Sequence, residues 1–171
     1  IADPDGQAVD GFLVIPGVEV STVEGHVLVL GGTFETPVST GPWTAERVAA
    51  MARSRGWVSA AAHPLDRCRS GVGVRVLERV RFDAVEVFNS KTLDPRSNAR
   101  ARSFAARHTL PMLGGSDAHH AGAVGRAHTL VYAAELTTEA VLEAVRLRRT
   151  TVHEGVHTRR EIAHYLRRGM L

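Results

Sequence analysis

The chain has 171 residues, 44% of them hydrophobic, and carries a net charge of +3 with a pI near 9.7. A chain of this size buries roughly two-thirds of its unfolded surface, which suits one ordinary core and makes a single domain the expectation. No run approaches the ~20 apolar residues needed to span a bilayer, residues 1–10 hold three aspartates where a signal peptide needs a cationic start, and the single Cys68 excludes an intramolecular disulfide, so the chain reads as soluble and cytoplasmic with no membrane partner.

Apolar, β-branched runs predict strands at Phe12 to Ile15, His26 to Leu30, Trp57 to Ala62, Ala84 to Phe88, Pro111 to Leu113 and His128 to Ala133. A further apolar stretch around Glu19 points to a strand of its own, and Val18 to Leu30 offers a hairpin around Glu24-Gly25. Helical spacing appears at Thr44 to Arg55, with Thr44 as N-cap and Gly56 as stop, at Gly73 to Val80, at Ser97 to His108 and at Thr138 to Arg149. Alternating strands and helices favour parallel βα units whose loops at the strand C-termini carry the chemistry, in a barrel or an open sheet. Residues 1–150 form the expected domain. Residues 151–171 form a tail whose Thr158-Arg159-Arg160-Glu161 capping box starts a short basic helix packed on the same domain, with Ile162, Tyr165 and Leu166 on its apolar side. Gly31 to Pro42, polar with two prolines, reads as a mobile loop.

Nine histidines in so small a chain need an account, and their placement supplies one. In Gly114-Gly115-Ser116-Asp117-Ala118-His119 an apolar run ends in two glycines, then presents a carboxylate and an imidazole that share one face of extended backbone. In Ala60-Ala61-Ala62-His63-Pro64 small residues lead to a histidine that the following proline biases toward extended backbone. Glu19, flanked by Val18 and Val20, is costly to bury without a cationic partner such as a divalent metal, and His26 opens the next apolar run. His120, His128, His153 and His157 find no role in this pattern, and Cys68 reads as incidental.

Gly17-Val18-Glu19, His26-Val27-Leu28, Ala62-His63-Pro64, Val85-Glu86-Val87-Phe88-Asn89 and Gly115-Ser116-Asp117-Ala118-His119 occur in the order found in the PHP (polymerase and histidinol phosphatase) family, and the chain resembles that family over residues 11–150. The resemblance implies a distorted (β/α)7 barrel whose strand C-termini hold up to three divalent metals, usually zinc, manganese or iron. It implies Glu19 as a bridging carboxylate sharing one metal with His26 and His63, Asp117 serving a neighbouring metal, and His119 a third. It also implies hydrolysis of a small phosphomonoester or phosphodiester by a metal-bound water, with Asp117 and His119 the ligands nearest the chemistry. The resemblance, with Val124-Gly125-Arg126 preceding the strand at His128, also implies Arg126 as a candidate phosphate contact. The sequence shows no aromatic-rich basic groove, so the expected substrate is small: a nucleotide, an oligonucleotide end or a sugar phosphate.

The family's opening His-x-His motif has no counterpart here, and Ile1-Ala2-Asp3-Pro4 resembles a later family motif with Pro4 in place of a histidine. The barrel is therefore expected to be incomplete at the N-terminus as the sequence stands, with omission of residues favoured over a true deletion. The rival expectation is a catalytically silent module of the family that binds metal and a nucleotide or protein partner. A nucleic-acid-binding domain driven by arginine ranks last, because 21 basic residues face 18 acidic ones and aromatics make up only 5% of the chain.

Overall fold

The computed structural model describes residues 8–9, 11–34 and 42–156. The Ile1 to Pro4 motif, most of the Gly31 to Pro42 loop and the C-terminal capping box with its helix lie outside the described residues. Strands β1 (Ala8–Val9) and β2 (Phe12–Leu13) form a short antiparallel ladder of their own. The longer strand expected at Phe12 to Ile15 is thus only two residues long and stands apart from the main sheet.

The main sheet has five strands in the order β3 (Gly17–Ser21), β4 (His26–Leu30), β5 (Val58–Ala61), β6 (Ala84–Asn89), β7 (Met112–Gly115). Only β5, β6 and β7 are parallel; β4 runs antiparallel to both neighbours, so the hairpin offered over Val18 to Leu30 is present and the parallel βα units are confined to β5–β7. The reason is local: Thr22 closes the hairpin, its amide donating to Gly25 O at 3.0 Å and its hydroxyl to the same carbonyl at 2.5 Å. A turn this short permits only antiparallel pairing. Among the described residues the sheet is open, with β3 and β7 at its edges.

Helix α1 (Ala45–Ser54) starts at Thr44, whose hydroxyl accepts from Arg47 N–H at 3.2 Å, and buries Val48, Ala49 and Ala52. Helix α2 (Val74–Arg79) follows β5, and α3 (Pro95–Arg107), capped by Asp94, follows β6. With Val27, Val29, Val85 and Val87 these helices make the larger core on one face of the sheet, where Phe104 is fully enclosed. Helix α4 (Thr138–Arg146), capped by Thr137 and ending three residues short of Arg149, packs Leu142 and Val145 on the opposite face against Val58, Ala60, Ala84 and Leu113. Continuous apolar strands such as β5 follow from this coverage on both faces.

Strands β8 (His128–Val131) and β9 (Thr150–His153) form a separate antiparallel pair, so structure continues past residue 150. The pair is fastened to β7 by the Thr129 hydroxyl, which accepts from Gly114 N–H at 2.8 Å and donates to Gly114 O at 2.9 Å. His128 and His153 face each other across it with stacked rings 4.6 Å apart, which gives two of the unassigned histidines a packing role. Among the described residues no helix is long and apolar enough to cross a membrane.

Candidate metal centre

Side-chain alternation decides which face carries the chemistry. Val18, Val20, Val27 and Val29 point into the larger core, so Glu19 and His26 project from the other face, together with Glu86 of β6. In the β3–β4 register Ser21 opposes His26 and Glu19 opposes Leu28, which makes Glu19 and His26 diagonal neighbours within side-chain reach. Val27 pairs with Ala61, so His63, two residues beyond Ala61, arrives beside them at the end of β5.

The three side chains converge. Glu19 Oε1 lies 2.5 Å from His26 Nδ1 and 3.7 Å from His63 Nε2, and the imidazoles meet edge to face at 5.3 Å. Among the described residues this is the group of histidine and carboxylate side chains whose ligand atoms all lie within 4.8 Å of one another. Contact with His63 holds the Glu19 carboxyl below its ordinary range, outweighing the opposing effect of burial.

Despite the crowding, His26 Nδ1 and both ring nitrogens of His63 are buried without a hydrogen-bond partner among the described residues, the Glu19 contacts being ion-pair approaches. Buried polar atoms are rarely left so, and an oxygen and two nitrogens aimed at one point are the donor set of a transition-metal ion. The residues present therefore fit a divalent metal.

His63 is held by its backbone. Its N–H donates to Glu86 Oε2 at 2.6 Å, its carbonyl accepts from Asp66 N–H at 3.0 Å, and its φ is +29°. The extended conformation expected from Pro64 is thus overridden by a turn that must bring the amide onto the carboxylate. Gly71 closes this turn: a Cβ there would meet His63 O and Pro64 O at 2.6 Å. Burial pushes the Glu86 carboxyl up to about 7, against the pull of its hydrogen bonds from His63 and Asn89. Gly115 leaves room for it, since a Cβ there would stand 2.8 Å from Glu86 Oε1.

Asp117 and His119 sit beside this group and outside it. Asp117, with φ +49°, is paired with Arg69 and accepts from Asn89 Nδ2 at 3.1 Å. Burial opposes its ionisation, but the Arg69 charge, hydrogen bonds from Arg69 and Asn89, and the Lys91 charge together hold its carboxyl below the ordinary range. His119 Nδ1 lies 2.9 Å from Asp117 O, and Nε2 lies 3.0 Å from Lys91 Nζ. Lys91 Nζ also lies 3.3 Å from Nδ1, so the ammonium sits against the ring rather than at one nitrogen alone. Arg126 donates to Val156 O at 3.2 Å, whereas Arg69 pairs directly with Asp117.

Glu86, Asn89, Arg69 and Lys91 received no role from the sequence, although Glu86 and Asn89 stand in a quoted motif. A groove of about 660 Å³ lies on another side of the His63 turn, lined by Pro64, Leu65, Arg67, Arg100 and Phe104 among others, and no histidine lines it. Cavity size alone therefore does not locate the chemistry.

Fold and centre define a class: a mixed α/β domain whose histidine and carboxylate cluster joins an antiparallel hairpin to the end of the first parallel strand. Residues 95–150 match the family model PHP_C, described as PHP-associated. The chain is 36% identical over 121 residues to uncharacterised protein MJ0417 of Methanocaldococcus jannaschii, a match covering 67% of this chain and 49% of that protein. The chain thus spans about half the length of the curated relative it matches. In fold it is similar, with a TM-score of 0.65 and 20% identity, to a two-domain protein from Bacteroides vulgatus containing a predicted PHP-like metal-dependent phosphoesterase, over 90% of this chain and 49% of that one. It is similar to the same degree, at 21% identity, to PsfC from Pseudomonas syringae, over 96% of this chain and 69% of that one. The family-model match supports assignment to the PHP-domain family, and the two solved structures show a likeness in fold.

Proposed function

We propose that the chain carries the metal centre of a metal-dependent phosphoesterase acting on a small phosphorylated substrate, such as a nucleotide, an oligonucleotide end or a sugar phosphate. The observation that carries this reading is the set of orphaned nitrogens on His26 and His63 beside Glu19. Glu19, His26 and His63 would hold one ion, with Asp117 and His119 as ligands nearest the reacting phosphate. Zinc, manganese and iron all suit these donors. When bound, such ions supply a water with its pKa lowered to about 7 and a clamp on phosphoryl oxygens.

The chain's own residues prepare that chemistry. Glu86 fixes the His63 backbone, Gly115 admits Glu86, and Asn89 bridges Glu86 and Asp117 by donating to both, at 3.2 and 3.1 Å. The open sheet would form part of a distorted (β/α)7 barrel, with the cluster on its inner face.

A second reading is a module that binds metal without catalysis, and the pairing of Asp117 with Arg69 supports it. Elemental analysis and hydrolysis of p-nitrophenyl phosphate separate the two. Bound metal with hydrolysis that His63→Ala abolishes upholds the phosphoesterase, whereas bound metal without hydrolysis upholds the silent module.

A further inference from the structure

The groove of about 660 Å³ on the other side of the His63 turn takes no part in the metal centre, yet its lining has a definite character. Pro64, Leu65 and Val74 give it an apolar floor, and four arginines also line it. Arg96, Arg100 and Arg107 fall at i, i+4 and i+11, on one face of α3, and Arg67 comes from the loop after β5. Asp66, the one acidic residue in the lining, is buried and already accepts from the Thr92 hydroxyl at 2.5 Å and from Cys68 N–H at 3.0 Å. Arg100 pairs with Asp94 at 3.3 Å, and the side chains of Arg67, Arg96 and Arg107 meet no carboxylate among the described residues. An apolar floor edged by guanidinium groups suits an apolar anchor flanked by carboxylates, which arginine binds through paired hydrogen bonds.

The same chain carries such a surface. Glu135 and Leu136 stand just before the N-cap of α4, and Leu136 is 51% exposed. Glu139 and Glu143 follow on one face of the helix, both exposed, with Glu143 partly engaged by Arg146 at 3.6 Å. Tyr132, four residues before Leu136, is 58% exposed. An apolar knob among carboxylates is the inverse of the groove. Within one molecule the two cannot meet, because α3 packs on one face of the sheet and α4 on the other. Nucleic acid suits the groove less well, since its lining offers no exposed aromatic ring for a base to stack on, Phe104 being buried.

We propose that the groove receives the acidic ridge at residues 135–143 of a second copy, so that the chain associates head to tail. Such a contact is heterologous: each copy in a pair keeps one groove or one ridge unused, and further copies add until a ring closes. A contact of this extent belongs at the weak end of specific interfaces, which puts its dissociation in the micromolar to near-millimolar range.

Sedimentation velocity of the full chain across that range tests it. Association is expected, and to weaken roughly 10-fold as salt rises from about 0.05 to about 0.5 M. Arg96→Gln with Arg107→Gln breaks the groove, and Leu136→Gln with Glu139→Gln breaks the ridge. Each pair of substitutions should weaken self-association about 10-fold or more and leave metal binding unchanged. Mixed together, the two variants should form a 1:1 pair and nothing larger, because the first keeps its ridge and the second its groove. A chain that stays single at the highest concentration overturns the proposal, as does a mixture no more associated than either variant alone. Oligothymidylate bound in the groove of a chain that does not self-associate also overturns it. Should the arginine variant fail to fold, Val74→Glu on the exposed groove floor takes its place, and undiminished association in that variant refutes the contact.

Discussion

The two halves of the centre solve the same electrostatic problem in opposite ways. On the side of Glu19, His26 and His63, ligand atoms converge, and the buried histidine nitrogens find no hydrogen bond among the described residues. On the side of Asp117, every opportunity is taken: Arg69 and Asn89 hold the carboxylate, and Lys91 holds His119. The first half is prepared for an ion that the protein does not itself provide, and the second is neutralised from within. Cutting the first half should therefore cost metal, and cutting the second should cost stability.

The largest effect is expected from His63→Ala, which should lower metal affinity and hydrolysis by more than the roughly 10–100-fold typical of losing an outer partner. Metal titration by calorimetry checks it, and an unchanged affinity breaks the comparison. In the metal-free protein the same change should cost little beyond lost packing and the contact with Glu19, because the ring nitrogens make no hydrogen bonds among the described residues. Asp117→Ala should do the converse, destabilising the metal-free protein by roughly 3 kcal/mol, since Arg69 is left buried without its partner. Denaturant melts of the two variants side by side decide this, and an equal cost for both removes the distinction. Asp117→Ala should also abolish hydrolysis while retaining the ion at Glu19, His26 and His63.

A pH series sharpens the same contrast. The unfolded chain releases the Glu86 proton near the ordinary value of 4.5, and the folded protein holds it to about 7. Between those values the folded state binds more protons, so Glu86 makes metal-free stability fall as pH rises, by roughly 3 kcal/mol across the window. Glu86→Gln should remove that slope, and a variant whose pH profile matches the parent refutes it. Smallest of all, Gly115→Ala should cost about 1 kcal/mol as the Glu86 carboxylate yields to the added methyl.

Much of the first half was legible in the sequence, because a carboxylate between two valines and histidines at the ends of apolar runs violate the rule for core strands. Glu19, His26, His63, Asp117 and His119 all declare themselves in this way. Arg69 does not: it lies in a polar, arginine-rich stretch where nothing separates it from Arg67, and only the chain's return past β6 brings it to Asp117, 48 residues on. The role of Glu86 is hidden for a similar reason, since its partner is a backbone amide whose position depends on the β5–β6 pairing and the His63 turn. The hairpin with its four-residue turn at Glu24-Gly25 was legible, but the antiparallel pairing of β4 with β5 was not, because an apolar run reads the same both ways. β9 escaped notice because Val152 is its only aliphatic residue amid threonine and histidine.

That turn has a further consequence, for the order in which the molecule assembles. Glu19 and His26 are brought together by a single hairpin, whereas Asp117 meets Arg69 only after the parallel strands have found one another. Closing a short loop costs less chain entropy than closing a long one, and hairpins form in microseconds, ahead of non-local parallel pairing. The half of the centre with unpartnered nitrogens thus begins as a local event, and an ion captured there would brace the first strands while the rest of the sheet is still searching for its register.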